Sequence, residues 1–310
     1  MSAPRSAAKA SPAGSIYDLG YRHYEGPRHG RAYATWSLYV ESLRNVWGFG
    51  RSMSSKAAPF ILAGLYALPA VVQLAFSSTI AQRLQTPGEP PLELLAYHNY
   101  FVGFSFLIIF FCVAQAPELV CRDQRYQVLP LYFTRAMGRM DYAMARLAAL
   151  ATALFVTLLV PTVALFIGDV LMKPDTISAI GDELPNALPA IPANALIAVG
   201  MAAISLALSS FSPRRAYSAI GIVAYMLLAE AIPAVIYSIG KTADWSWADK
   251  LMLLTPVTSL QAASSWFFGR ILDPTQYPPT LTAGPYLLAA LASCALFTGI
   301  LLFRYRRIPA

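Results

Sequence analysis

Residues 143–168 read AMARLAALATALFVTLLVPTVALFIG, with Arg146 as the only charge in the run. The run exceeds the roughly 20 apolar residues that carry a helix across a bilayer. Hydrocarbon offers the backbone no hydrogen-bond partners, so a crossing segment must satisfy its own amides. The run lacks the alternating polar positions of a barrel strand, which leaves the α-helix. Five further stretches repeat the pattern, at 57–80, 98–116, 189–210, 216–239 and 284–303. The expected fold is all-α: a polytopic membrane protein with six transmembrane helices.

Composition agrees. Of 310 residues 57% are hydrophobic and 13% charged, where a soluble domain carries about 25% charge. Such a chain cannot coat a soluble core of this size, so the missing polar surface faces lipid. The net charge of +7 raises the question of nucleic acid, and the placement of the bases answers it. Arg5, Lys9, Arg22, Arg28, Arg31, Arg44, Arg51 and Lys56 precede the first span, and Arg122, Arg125, Arg135 and Arg139 join the second to the third. Arg214 and Arg215 join the fourth to the fifth, and Arg304, Arg306 and Arg307 close the chain. The other side holds only Arg83, Lys173, Lys241, Lys250 and Arg270, and Arg146 lies just inside the third span. The positive-inside rule then puts both termini in the cytoplasm and leaves the charge to membrane lipids, with no role for nucleic acid.

A seventh apolar stretch, LMLLTPVTSLQAASSWFFGRIL at 251–272, threatens the parity of that count. If it crossed, the basic tail would lie outside. Pro256 divides it into pieces too short to span, and Trp245, Trp247, Trp266, Phe267 and Phe268 favour the headgroup boundary. A re-entrant helical hairpin on the outer face, about 247–272, is the expectation. Pro59, Pro69, Pro161 and Pro233 interrupt three of the spans, where each ring deletes one backbone hydrogen bond and predicts a kink or local unwinding.

Ahead of the bundle, residues 1–14 are rich in Ala, Ser, Pro and Gly and read as a disordered tail without a signal peptide. Residues 31–49 set Trp36, Tyr39, Val40, Leu43, Val46 and Trp47 at helical spacing, which predicts an amphipathic interfacial helix whose apolar stripe has no second helix to cover it. The organisation is then a cytoplasmic segment, 1–56, and a transmembrane domain, 57–310.

Chemistry-bearing constellations are sparse. Gly240-Lys241-Thr242 imitates the end of a phosphate loop, but Val235 stands where the first glycine of that loop belongs. Cys112, Cys121 and Cys294 form no CxxC pair and read as reduced thiols, and His23, His29 and His98 have no metal-ligand spacing. No catalytic group, metal or cofactor is expected in this chain. One acid lies inside a span: Glu230, near Pro233, marks a candidate for the substrate path or its gate. In the fourth span Ala198, Ala202, Ala203 and Ala207 have the small-residue spacing of a close helix contact, either between subunits or incidental to composition.

Between the second and third spans, Glu118, Arg122, Asp123 and Arg125 alternate with Leu119, Val120, Tyr126 and Val128. The pattern predicts a short amphipathic helix at about 117–128 that docks into a protein groove, or a loop whose arginines rest on lipid phosphate. Glu118, Arg122-Asp123, Val128-Leu129-Pro130-Leu131 and Thr134-Arg135 through Arg139-Met140-Asp141-Tyr142 together resemble the type-2 ABC exporter permeases. The likeness extends to the helix before the first span and to Leu254-Thr255-Pro256-Val257, and IYDLGYRHYEGPR at 16–28 resembles permeases of high-GC Gram-positive bacteria.

That resemblance implies a permease subunit in the bacterial cytoplasmic membrane, paired with a second permease subunit as a homodimer or heterodimer. It would work with two ABC ATPase subunits, which bind ATP and Mg, and export a hydrophobic or amphipathic substrate. Glu118, Arg122, Asp123, Arg125 and Tyr126 would form the coupling helix. The long segment before the first span departs from the family pattern. Alternatives are an ion-coupled secondary transporter, a membrane enzyme, and a non-transporting sensor or assembly subunit.

Overall fold

The computed structural model describes residues 26, 29–50, 53–76, 96–133, 137–172, 175–274 and 276–307. Among them every regular element is helical. Helix α1, Arg31–Val46, is followed by α2, Met53–Phe76, then α3, Tyr100–Arg125, and a single turn, α4, Leu129–Phe133. Helix α5, Arg139–Met172, precedes α6, Thr176–Ala187, and α7, Ala190–Ser209; α8, Arg215–Thr242, leads into a 3-10 helix, Ala248–Leu254, then α9, Pro256–Phe267, and α10, Ala283–Arg306. Helices α2, α3, α5, α7, α8 and α10 coincide with the six expected apolar spans to within a few residues, except that α3 runs on to Arg125 and residues 77–80 of the first span lie outside the described residues. Among the described residues the structure has six helices long and apolar enough to cross a membrane. The chain is a polytopic membrane protein.

The centre of the bundle is α7, which packs against α3, α5, α8, α9 and α10. Small side chains make this possible. Ala198, Ala202, Ala203 and Ala207 are all at most 1% exposed, so their spacing serves packing within one chain and not a contact between subunits. At Gly200 an added Cβ would stand 2.8 Å from Leu260 Cδ2 and 3.2 Å from Cys294 Sγ, which shows how closely α9 and α10 approach α7. The outer helices show the opposite pattern. Phe60, Ile61, Leu65 and Leu68 on α2, and Ile220, Leu227, Leu228, Ile232 and Val235 on α8, are exposed where a lipid-facing surface is required.

Three expectations need correction. Helices α2, α5 and α8 continue through Pro59, Pro69, Pro161 and Pro233 without local unwinding, because one lost bond per ring leaves the flanking bonds intact where no water competes for them. The backbone departure lies instead in α3, at Phe104 (φ −124°, ψ 17°). The docking segment at 117–128 is not a separate helix: α3 runs unbroken through Pro117 to Arg125, and only the turn α4 stands apart. Helix α1 is not uncovered. Leu38, Ser42 and Val46, one turn apart, are buried where α1 lies on α5, and Leu38 and Val46 join the main core.

The stretch at 247–272 divides at Pro256 as expected. Trp245, Trp247 and Trp266 are exposed, but Val257, Leu260, Ala262 and Ala263 of α9 are buried against the bundle. Helix α6 was not anticipated: Asp175 caps it through Ile177 N at 3.3 Å, and Ile177, Ile180 and Leu184 form an exposed apolar line along it. At the end of α8, Gly240 admits the 3-10 helix, since a Cβ there would lie 2.5 Å from Ala248 Cβ. The Gly-Lys-Thr tripeptide is a packing feature.

Candidate functional site

At the basic end of the bundle, the last turns of α3 carry alternating polar side chains, and helical spacing sends them to opposite faces. Arg122, Arg125 and Tyr126 are exposed. Asp123 turns inward: one carboxylate oxygen, Oδ2, accepts from Tyr142 Oη at 2.7 Å and from Arg146 Nη2. Arg146 is 4% exposed, and its Nη1 donates to Ser42 Oγ of α1 at 2.9 Å. The guanidinium also lies 5.1 Å from the centre of the Tyr142 ring, an added stabilisation of the buried cation. A charge this deep persists only when paired, and Asp123, Tyr142 and Ser42 supply its pairing.

The same turn of α3 is tied to two more helices. Gln124 Nε2 donates to the Ser210 carbonyl at 3.0 Å and to Tyr305 Oη of α10 at 3.5 Å. Glu118 faces Arg215, at the start of α8, at 2.6 Å, with only 12% of its own side chain exposed. Glu118 and Asp123 therefore hold the bundle together, while Arg122, Arg125 and Tyr126 remain on the surface. Beyond α3, Gln127 takes a positive φ of 52° that reverses the chain into α4. There the Tyr132 ring lies 5.6 Å from that of Tyr142, tilted by 47°, and burial, with Asp123 adding, pushes its phenol up.

Helix α1 is fastened at both ends. Arg31 at its start pairs with Asp141, Nη2 to Oδ1 at 2.7 Å, and Asp141 Oδ2 also accepts from Gly138 N at 2.9 Å. Trp47 at its end lies between Phe60 of α2 and Phe111 of α3. Of Trp36, Tyr39, Leu43 and Trp47, four of the residues expected to face the membrane, the last three pack on the core, and Tyr39 Oη donates to Thr152 Oγ1 at 3.1 Å. Trp36 alone of the four is exposed, at 61%.

Glu230 lies elsewhere. Fifteen residues beyond Arg215 on α8, it sits about 22 Å along the helix from the basic end. Its Oε1 accepts from Val257 N at 2.6 Å and Thr258 N at 3.3 Å, and Oε2 accepts from Thr258 Oγ1 at 2.6 Å. Those amides open α9. The N-cap residue, Thr255, spends its hydroxyl on the Met252 carbonyl at 2.6 Å, so a carboxylate from another helix takes over the cap. The helix dipole favours the anion there. Nearby, burial with the Glu230 and Asp273 carboxylates adding pushes the Tyr277 phenol up to about 12.

Among the described residues no three His, Cys, Asp or Glu side chains stand close enough to hold a metal, and Cys112, Cys121 and Cys294 are buried free thiols. Sequence reasoning left Tyr142, Arg146 and Ser42 without a role; a lone arginine in an alanine-leucine run was the available signal for Arg146. No curated protein matches the chain. A family described as a protein of unknown function, DUF2705, matches residues 66–308, from within α2 past the end of α10, and the chain belongs to that family.

Proposed function

We propose that the chain is the membrane-spanning permease subunit of an ATP-driven exporter of the type-2 ABC class, acting in a bacterial cytoplasmic membrane with both termini inside. ATP and Mg belong to two partner ATPases, a second permease subunit completes the path, and the cargo is hydrophobic or amphipathic. The chain itself performs no covalent chemistry. One observation carries this reading: Arg122, Arg125 and Tyr126 are exposed on the turn of α3 whose Asp123 is bonded to Tyr142 and Arg146 of α5, and through Arg146 to Ser42 of α1.

A partner pressing on the exposed face of that turn moves α3, α5 and α1 together, because the ion pair leaves no slack between them. Interiors this closely packed respond by switching between discrete arrangements. The exposed arginines suit an acidic groove and set the choice of partner. At the far end, the bond from Glu230 to α9 couples α8 to the segment that would close the exit. An ion-coupled carrier calls for ionisable groups open to its cargo, whereas Asp123 and Glu230 are each engaged by protein donors.

The test is a search of the neighbouring reading frames for an ABC-type ATPase, whose absence favours the ion-coupled carrier, followed by co-purification of the full chain with that ATPase. Arg122→Glu with Arg125→Glu should abolish the association while leaving the permease folded. Full retention of the ATPase by that variant overturns the docking face.

A further inference from the structure

Three arginines from three helices meet around one open cavity at the basic end. Arg31 of α1, Arg139 of α5 and Arg306 of α10 line a space of about 410 Å³ whose remaining wall includes Phe133, Met137 and Met140. Arg139 and Arg306 are adjacent: Arg139 Nη1 donates to the Arg306 carbonyl at 3.5 Å. Among the described residues neither has a carboxylate within ion-pair distance, while Asp141 engages Arg31. Like charges lining one cavity raise its positive potential, which an anion bound there would relieve. Arg139 is also the first residue of α5, where the positive end of the helix dipole adds to the attraction.

We propose that this cavity binds the phosphate of an anionic phospholipid headgroup, with Arg139 and Arg306 as the principal contacts and Arg31 at its rim. Guanidinium forks match phosphate oxygens two at a time, which a lysine cannot do. The apolar wall fits the start of an acyl chain. Arg31 also lines an adjoining cavity of about 540 Å³ with Trp36 and Tyr39, the side chains that favour headgroup depth, and Trp36 is exposed there. Phosphate as a chemistry is shared by lipid and by soluble phosphate esters; the acyl-facing wall and the aromatic rim select the lipid. The inference does not depend on the exporter reading, since a sensor or carrier with this bundle would hold the same site.

Native mass spectrometry of the full-length protein in detergent, titrated with phosphatidylglycerol or with phosphatidylcholine of the same acyl chains, tests it. Phosphatidylglycerol should bind with a clear preference, and Arg139→Gln with Arg306→Gln should weaken it roughly tenfold. Arg122→Gln with Arg125→Gln, the same charge change on the same end of the bundle, should weaken it less than about twofold. Arg139→Lys with Arg306→Lys should restore only part of the affinity, and thermal unfolding of each variant in detergent reports whether it remains folded. Equal weakening by the two Gln pairs, or no preference over phosphatidylcholine, overturns the site. Displacement of the bound lipid by millimolar glycerol phosphate would assign the cavity to a soluble phosphate and overturn the lipid occupant.

Discussion

Asp123 of α3 and Arg146 of α5 form an ion pair in which the arginine is 5% exposed at its side chain and the aspartate 14%. Breaking such a pair from one side leaves a buried charge. Asp123→Ala should therefore lower stability by about 3–5 kcal/mol, read as thermal unfolding in detergent. Removing both charges with Asp123→Leu and Arg146→Met should recover most of that loss, because the desolvation cost disappears along with the attraction. The double variant should nonetheless fail to transmit motion from α3 to α5. A double variant as unstable as the sum of the single ones would mean that the pair is not the element holding these helices.

Glu230 gives a second, independent contrast. Glu230→Gln keeps an oxygen for the amides of Val257 and Thr258 but loses the charge facing the α9 dipole, a cost of about 1 kcal/mol. Glu230→Leu leaves those amides without their acceptor and should cost about 2–3 kcal/mol. Hydrogen exchange at Val257 and Thr258 should accelerate in the order wild type, Gln, Leu. Unchanged exchange in the Leu variant would remove Glu230 from the anchoring of α9.

At Gly240 the obstacle is a Cβ that cannot rotate away. Gly240→Ala would collide with Ala248 and should destabilise by about 1–3 kcal/mol, whereas Lys241→Ala, at an exposed position, should leave unfolding unchanged. Loss of nucleotide binding in the lysine variant, instead of no effect, would contradict the reading of this tripeptide as packing.

The orientation of the bundle is open to chemical labelling. Ile271, 98% exposed beyond α9, and Arg122 at the end of α3 lie at opposite ends of the bundle, and the native cysteines are buried. Ile271→Cys in intact cells should react with an impermeant maleimide, and Arg122→Cys only after permeabilisation. The reverse pattern would place the basic end outside, against the distribution of arginines.

The six spans were legible because hydropathy over about 20 residues is a local property of the chain, and no tertiary partner alters it. The split at Pro256 was equally local. What could not be read is pairing at long range. Asp123 was assigned to the docking surface because its partner, Arg146, lies on a different helix and the sequence gives no register between them. Helix α1 was judged uncovered for the same reason: its cover comes from α5, about a hundred residues away. Helix α6 was missed because Gly181 and Pro185 resemble loop signals, while Ile177, Ile180 and Leu184 occupy too short a stretch to register as a span. Glu230 was found from its cost in a membrane, but its role as a cap for α9 required the fold.

The central claim is that energy from ATP enters through the exposed turn of α3. Its most direct measurement is ATP hydrolysis by this chain purified together with the proposed partners, a second permease subunit and an ABC-type ATPase, reconstituted in lipid and titrated with amphipathic compounds. Stimulation by one of these compounds should be present in the wild type and lost in Asp123→Leu with Arg146→Met, with the ATPase still bound. Stimulation that is the same in both, or an ATPase that never associates with the chain, would contradict it.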